Sequence, residues 1–161
     1  MIGFLRRLLS GSPPTVANAG PRDAGDIAAL HGASFRRGWG EAEVESLLAE
    51  RNVLAHVARS GRKVAGFIMS RIAADEAEIL SVAVGARWQG RGVARELLLT
   101  HMRRLAGLGT RTIFLEVDEN NTPAIRLYTR AGFREVSRRA NYYPAPNGAA
   151  ATALILRRDL A

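Results

Sequence analysis

The segment Ser81–Met102, SVAVGARWQGRGVARELLLTHM, determines how the rest of the sequence is interpreted. It begins with SVAV, which is typical of a buried strand, and ends with apolar residues at helical spacing. Between these parts lies Gln89-Gly90-Arg91-Gly92. A glycine-rich loop that leads into a helix brings unpaired backbone N–H groups and the positive end of a helix dipole together, an arrangement that binds phosphate. The segment therefore predicts an anion site at the start of the helix.

Two well-known phosphate loops do not match this segment. The P-loop needs Lys followed by Ser or Thr after its last glycine, and the dinucleotide fingerprint needs a third glycine and a later acidic residue. After Gly92 the chain continues with Val93-Ala94-Arg95. Because glycines also occur at helix starts for steric reasons, the loop alone does not identify a ligand. Arg91 and Arg95 are candidates for contacts with phosphate oxygens, with solvated arginines as the alternative.

The composition is that of one globular domain and excludes several kinds of site. The chain has 161 residues, of which 47% are hydrophobic. The absence of cysteine excludes disulfides, thiolate metal sites and cysteine nucleophiles, and is compatible with the cytoplasm. The three histidines show no ligand spacing, so we expect no metal. The net charge of +8 favours an anionic ligand or an RNA-rich partner, although the arginines are spread along the chain.

The chain is predicted to consist of a flexible N-terminal leader, residues 1–15, and one domain, residues 16–161. Arg6 and Arg7 interrupt the apolar residues of the leader, which leaves no continuous apolar segment of signal-peptide or membrane-spanning length. An amphipathic turn that touches a membrane or a partner is the alternative for this leader.

The domain is predicted to have an α/β fold with a mixed central sheet, antiparallel in its N-terminal meander and parallel at its centre, flanked by helices. Helical spacing and strand alternation change several times along the chain. The predicted helices are 23–35, 41–50, 92–108 and 122–131, and the predicted strands are 52–59, 62–71, 76–84, 111–117, 133–139 and 151–157. A strand, helix and strand in succession imply a parallel pair with a right-handed crossover. Ligands bind at the carboxyl ends of such strands, here Val84-Gly85 and Val117-Asp118.

These motifs together resemble one family. Gln89-Gly90-Arg91-Gly92-Val93-Ala94 is similar to the Gln/Arg-x-x-Gly-x-Gly/Ala signature of GNAT acetyltransferases, which holds the pyrophosphate of coenzyme A without lysine or metal. The resemblance extends from about Pro21 to Leu156 and is closest to the RimI type, the N-terminal acetyltransferases of ribosomal protein alanine. The motifs that carry it are Glu76–Val84, Leu115-Glu116-Val117, Asn120-Asn121, Ala124–Tyr128, Gly132-Phe133 and Arg139–Pro144. Two departures are Ala94 in place of a usual glycine and residues 148–153, which lack the usual acidic residue.

The resemblance implies acetyl-CoA as the co-substrate and assigns residues to it. The backbone of Val82–Val84 would pair with the pantetheine arm, and Asn121 would contact the cofactor as well as cap a helix that begins Thr122-Pro123. The full set implied to bind the cofactor is Val82, Ala83, Val84, Gln89, Gly90, Arg91, Gly92, Val93, Ala94, Arg95, Asn121 and Tyr128.

Two residues are expected to carry the chemistry. Glu116 alternates with Thr112 and Phe114 on one strand face, so it ends a partly apolar row near the ligand edge and is a candidate base. The resemblance assigns it that role, directly or through a water, and assigns Tyr128 the role of general acid. Glu78, predicted to face one side in alternation with Leu80 and Val82, is the competing base. Tyr128 also lies on a core stripe with Ala124, Leu127 and Ala131, and a core tyrosine is its alternative.

The acceptor is expected to be a protein N-terminus. By resemblance, Trp39, Tyr142 and Tyr143 line the peptide channel. An α-amine has a reference pKa of about 7.7–8.0 and lysine one of about 10.4, so a single carboxylate deprotonates the α-amine more easily. The resemblance to the RimI type implies cytoplasmic transfer of acetyl from acetyl-CoA to the N-terminal alanine of small-subunit ribosomal protein eighteen. The alternatives are lysine side chains, other protein N-termini, a small-molecule amine, or a non-catalytic acetyl-CoA sensor or RNA-binding module.

Overall fold

The computed structural model describes residues 13–143 and 150–160, which form helices on both faces of one mixed sheet. The predicted fold class is confirmed, as are the predicted helices and strands, with bounds that shift by a few residues. In chain order the elements are β1 Thr15–Asn18, α1 Ala24–Ser34, α2 Glu41–Ala49, β2 Val53–Ser60, β3 Lys63–Ala73, β4 Glu76–Val84, α3 Val93–Gly107, β5 Thr112–Asp118, α4 Thr122–Arg130, β6 Arg134–Tyr143 and β7 Ala151–Asp159.

The sheet has the strand order β1-β2-β3-β4-β5-β7-β6. Its parallel centre is the pair β4 and β5, and all the other pairs are antiparallel. Two features were missed by the sequence analysis. Thr15–Asn18 adds a fourth strand to the predicted three-stranded meander by pairing with β2. Also, β7 lies between β5 and β6 rather than following β6 at the edge. The predicted leader falls mostly on residues 1–12, which lie outside the described residues.

A bulge in β4 separates the two parallel strands. Ser70 pairs with Ile79 and Met69 pairs with Ser81, so Leu80 is an extra residue on β4. The pairing between β4 and β5 ends at Ile79 and Leu115. From Leu80 onward, the edge of β4 that faces β5 therefore has no strand partner among the described residues. The sheet has a gap at this point, and backbone N–H and C=O groups border it.

Two hydrophobic clusters hold the helices on opposite faces of the sheet. On the face that we call the α1 face, α1 and α2 contribute Ile27 and Val44 to a cluster with Phe67 and Met69 of β3. On the other, which we call the α3 face, α3 contributes buried residues at helical spacing, among them Val93, Leu97, Leu98, Met102 and Leu105. Each buried Leu of this kind stabilises the fold by about 1.5–3 kcal/mol. The clusters thus fix the start of α3 beside the gap.

None of the helices within residues 13–143 and 150–160 is both long enough and apolar enough to cross a membrane.

A buried polar network attaches α3 to the sheet. His101 of α3 has no exposed surface, and its Nδ1 lies 2.7 Å from Nδ1 of His56 on β2. Its Nε2 lies 2.7 Å from Oγ of Ser70 on β3. Burial, followed by the nearby His56, lowers the pKa of His101 to about 3. Burial and then Arg104 also lower the pKa of His56. Both rings are therefore neutral in the fold at neutral pH, and the Nδ1 of one ring donates to the unprotonated Nδ1 of the other.

This network predicts a loss of stability in mild acid. As the pH falls from about 6.5 to about 3, the unfolded chain binds a proton at His101 that the folded chain does not bind, so the free energy of unfolding decreases as the pH decreases. The lowered pKa of His56 acts in the same direction. The slope is up to about 1.4 kcal/mol per pH unit for each such histidine. Urea unfolding at several pH values measures it. His101→Gln is expected to reduce stability at neutral pH and to flatten the slope. An unchanged slope in that variant would contradict the assignment.

Candidate functional site

A cavity of about 630 Å³ opens on the α3 face where β4 and β5 separate. Its walls are the end of β4, the glycine-rich loop, the first two turns of α3 and one side of α4. The residues predicted to bind the cofactor that line it are Val82, Ala83, Val84, Gln89, Gly90, Gly92, Val93, Ala94, Arg95 and Tyr128. The structure therefore brings together, around one space, residues from four separate segments of the chain that the family resemblance implied as cofactor-binding.

The loop leaves backbone donors open to this cavity. Gly90 and Gly92 have φ angles of 73° and 80°, a left-handed conformation that costs other L-residues about 1–2 kcal/mol. No atom lies within 4 Å of a Cβ built at either position, so the backbone conformation, not crowding, calls for glycine. Gly92 precedes α3 and provides no side-chain cap, which leaves the N–H groups of the first turn for another partner. Gln89 Nε2 donates to the carbonyl of Val84 at 3.1 Å and ties the loop to β4.

The mouth of the cavity is positively charged. Arg95 lines it as predicted, together with Arg126 and Arg130, and the described lining residues include no Asp or Glu. Arg126 and Arg130 are one helical turn apart on α4 and were missed by the sequence analysis. The sequence did contain a signal for them, because two arginines at i, i+4 spacing lie in the helix that follows β5, one of the two strands whose carboxyl ends were expected to border the ligand. Arg91 is not a lining residue, and its guanidinium lies over the Trp88 ring, 5.7 Å from the centroid.

Tyr128 is both a core residue and a wall of the cavity. Its ring is 7% exposed and contacts Phe133 edge to face, with centroids 5.7 Å apart. Burial raises the pKa of the Tyr128 phenol to about 12, so the hydroxyl keeps its proton throughout the neutral range. A protonated phenol in the wall can donate a proton or a hydrogen bond to a group that becomes negative in the cavity.

The two predicted bases lie on the α1 face, and one prediction about them was wrong. Glu78 is exposed, and because of the extra residue Leu80 it does not share a face with Val82, which lines the cavity on the opposite side. Glu116 is 27% exposed and its Oε1 lies 3.4 Å from the guanidinium of Arg139 on β6. Glu116 was expected to end a partly apolar row of side chains on β5. In the structure its carboxylate also has a positively charged neighbour, Arg139. Glu116 does not line the cavity. The gap lies between Glu116 on the α1 face and the cavity on the α3 face.

Asn121 caps α4, as expected. Its Oδ1 accepts a hydrogen bond from the backbone N–H of Ala124 at 3.3 Å. It does not line the cavity, so contact with a cofactor stays a prediction for this residue.

Two of the residues expected to bind the acceptor, Trp39 and Tyr142, lie on the α1 face. Trp39, between α1 and α2, stacks on His31 with centroids 4.0 Å apart, and its backbone N–H donates to His31 Nδ1 at 3.0 Å. The guanidinium of Arg139, which pairs with Glu116, also lies 5.2 Å from the centroid of the Tyr142 ring. Tyr143 ends β6, and its side chain lies outside the described residues. The cavity and the candidate acceptor residues thus occupy opposite sides of the gap.

Comparison with known proteins shows which family has this sequence and fold. The model of the acetyltransferase (GNAT) family matches residues 25–133. A [Ribosomal protein bS18]-alanine N-acetyltransferase of Escherichia coli is 36% identical over 110 residues, which are 68% of this chain and 74% of the relative. The enzyme of the same name from Haemophilus ducreyi is 36% identical over 93 residues, which are 58% of this chain and 64% of that relative, slightly less than two thirds of its length.

The fold is similar over a longer span. The crystal structure of the ribosomal-protein-S18-alanine N-acetyltransferase from Escherichia coli superimposes with a TM-score of 0.86 at 28% identity, over 92% of this chain and 94% of that one. The resemblance to RimI-type proteins and the predicted enzyme class, an N-acetyltransferase, are thereby confirmed. The chain belongs to the acetyltransferase (GNAT) family.

Proposed function

We propose that this chain transfers the acetyl group of acetyl-CoA to a protein N-terminus, and that the acceptor is the N-terminal alanine of ribosomal protein bS18. The observation that supports the proposal is the gap after Ile79 and Leu115, with an arginine-lined cavity on one face and Glu116, Trp39 and Tyr142 on the other. A donor and an acceptor that approach from opposite faces would meet there. A ribosomal acceptor would place the reaction in the cytoplasm.

The residues of the cavity fit acetyl-CoA. The free N–H groups at the start of α3 and the side chains of Arg95, Arg126 and Arg130 suit the phosphates. The unpartnered edge of β4 suits the amide groups of the pantetheine arm, which can pair with it as a strand would. Leu98, Leu99 and Leu127 supply apolar walls for the methylene groups. Acetyl-CoA would thus bind as a substrate between α3 and α4.

The proposed reaction is a direct transfer. The acceptor nitrogen attacks the thioester carbonyl, a C–N bond forms and the C–S bond breaks. Glu116, directly or through a water, takes the proton that leaves the nitrogen. Tyr128, whose hydroxyl keeps its proton, donates to the sulfur as that atom becomes negative. Backbone groups at the edge of β4 stabilise the oxyanion of the tetrahedral intermediate.

A panel of acceptors tests this proposal. We expect coenzyme A release with a peptide that carries the N-terminus of bS18, and none when the same peptide is blocked at its N-terminus and keeps its lysines. Transfer to the blocked peptide would favour lysine as the acceptor, and transfer only to small amines would favour a small-molecule enzyme. Tight, salt-sensitive RNA binding without coenzyme A release would favour a binding module.

The cellular acceptor is tested by mass spectrometry. Ribosomal proteins from cells with and without this gene are expected to differ by one acetyl group on the N-terminus of bS18. An acetyl group lost from a different ribosomal protein would correct the acceptor and leave the reaction class intact. Unchanged ribosomal proteins, together with an active enzyme in vitro, would move the acceptor outside the ribosome.

A further inference from the structure

Ser81, the residue after the bulged Leu80, carries a buried hydroxyl that the proposed mechanism does not use. The residue is 6% exposed, and no described residue offers its Oγ a hydrogen-bond partner. A buried hydroxyl in this state costs folding free energy, because it loses its hydrogen bonds to water without replacement. Alanine at this position would avoid that cost. A function at the gap would account for a serine there.

Ser81 and Glu116 face the same side of the sheet on the two strands that border the gap. Ser81 pairs with Met69, a member of the cluster on the α1 face. Phe114 pairs with Glu78, which pairs with Arg71. Arg71 is on the α1 face too, because it forms an ion pair with Glu50 after α2. Glu116 is two residues beyond Phe114 and shares its face.

The chemistry of an amine acceptor fits these two groups. A neutral primary amine has two N–H bonds and one lone pair, and the lone pair must point to the thioester carbonyl. Glu116 can accept one N–H, and a serine oxygen can accept the other. Two acceptors on opposite strands of the gap would therefore leave only the lone pair directed at the carbonyl.

We propose that Ser81 Oγ accepts a hydrogen bond from the attacking amine and orients it, so that the site selects primary amines. This inference rests on the proposed acetyl transfer through the gap. Ser81 forms no covalent bond in it, and the proton that leaves the nitrogen still goes to Glu116.

Two variants separate this role from a structural one. Ser81→Ala removes the hydroxyl at the gap. Thr110→Val is the matched control, since Thr110 is also buried and its Oγ1 also lacks a described partner, but it precedes β5 at the end away from the gap. Both variants are expected to melt at the temperature of the wild type or above. Only Ser81→Ala is expected to lower kcat/KM for an N-terminal alanine peptide, by about tenfold. Calorimetry is expected to give the wild-type affinity for coenzyme A in both.

A second acceptor gives a readout that a structural defect would not produce. A peptide that begins with N-methylalanine has a single N–H when neutral, which Glu116 can accept. The loss in Ser81→Ala is therefore expected to vanish with this peptide, so the variant loses the wild-type preference for primary amines. Equal losses on both peptides, or no loss on the alanine peptide, would overturn the inference. Failure of the wild type to acetylate any amine would instead refute the proposed function.

Discussion

Tyr128→Phe is expected to lower kcat by about 100-fold or more, the usual contribution of a positioned general acid. The departing thiolate of coenzyme A would then lose the donor that lies in the cavity wall. The ring remains, and with it the edge-to-face contact with Phe133 and the burial that this contact provides. Initial rates at saturating acetyl-CoA and peptide measure the effect.

The affinity for coenzyme A and the pH profile serve as controls for this variant. Calorimetry is expected to give a Kd within about twofold of the wild type, because the hydroxyl acts on the transition state more than on the bound substrate. A group that acts in its protonated form with a pKa of about 12 imposes no pH dependence between about pH 6 and 9. An unchanged kcat would remove the acid role, and a pH dependence in that range that disappears with the hydroxyl would show that the pKa of Tyr128 is lowered and not raised.

The sequence was sufficient for features that depend on local spacing. The change from helical period to strand alternation predicted every described α-helix and all strands except the four-residue β1, but not the two 3-10 helices Pro21–Asp23 and Ala86–Trp88. The glycines of the loop were correctly placed at a helix start, where Gly90 and Gly92 adopt a left-handed backbone before a helix without a side-chain cap. Val82, Ala83 and Val84, which the family resemblance implied as cofactor-binding residues, line the cavity.

Features that depend on contacts between segments far apart in the sequence could not be predicted from local spacing. The insertion of β7 between β5 and β6 joins segments whose alternation is equally compatible with an edge strand. The bulge at Leu80 has no signature in a run of apolar residues, yet it moves each later side chain of β4 to the opposite face of the sheet. The prediction that Glu78 and Val82 share a face was wrong for this reason. The turning of Arg126 and Arg130 toward the cavity depends on how α4 packs on the sheet.

The ion pair at Glu116 illustrates the same limit. The alternation of β5 places the carboxylate correctly on the face away from Ile113, Leu115 and Val117. It does not reveal that Arg139 arrives from β6, because β7 separates the two strands. The distance between the guanidinium and the carboxylate, 3.4 Å, leaves Glu116 held in place beside the gap rather than isolated among apolar groups.

Glu116→Gln is expected to lower kcat/KM for the peptide acceptor by about 100-fold or more near neutral pH. Glutamine keeps the size of the side chain but cannot take a proton from the acceptor. The lost ion pair with Arg139 is partly exposed and contributes at most about 1 kcal/mol, so the variant is expected to fold with near wild-type stability. Glu78→Gln is the matched control, an exposed carboxylate on the same face of the neighbouring strand, and is expected to keep the rate within about twofold.

The pH dependence of the loss of kcat/KM in Glu116→Gln shows whether Glu116 acts as a base or only positions the amine. An α-ammonium loses its proton by itself above its reference pKa of about 7.7–8.0. A variant that lacks only the base is therefore expected to recover part of its rate as the pH rises toward about 9.5, while the wild type changes little. A deficit that stays constant over this range would mean that Glu116 orients the amine and does not deprotonate it. A slow Glu78→Gln beside an unaffected Glu116→Gln would transfer the role of base to Glu78.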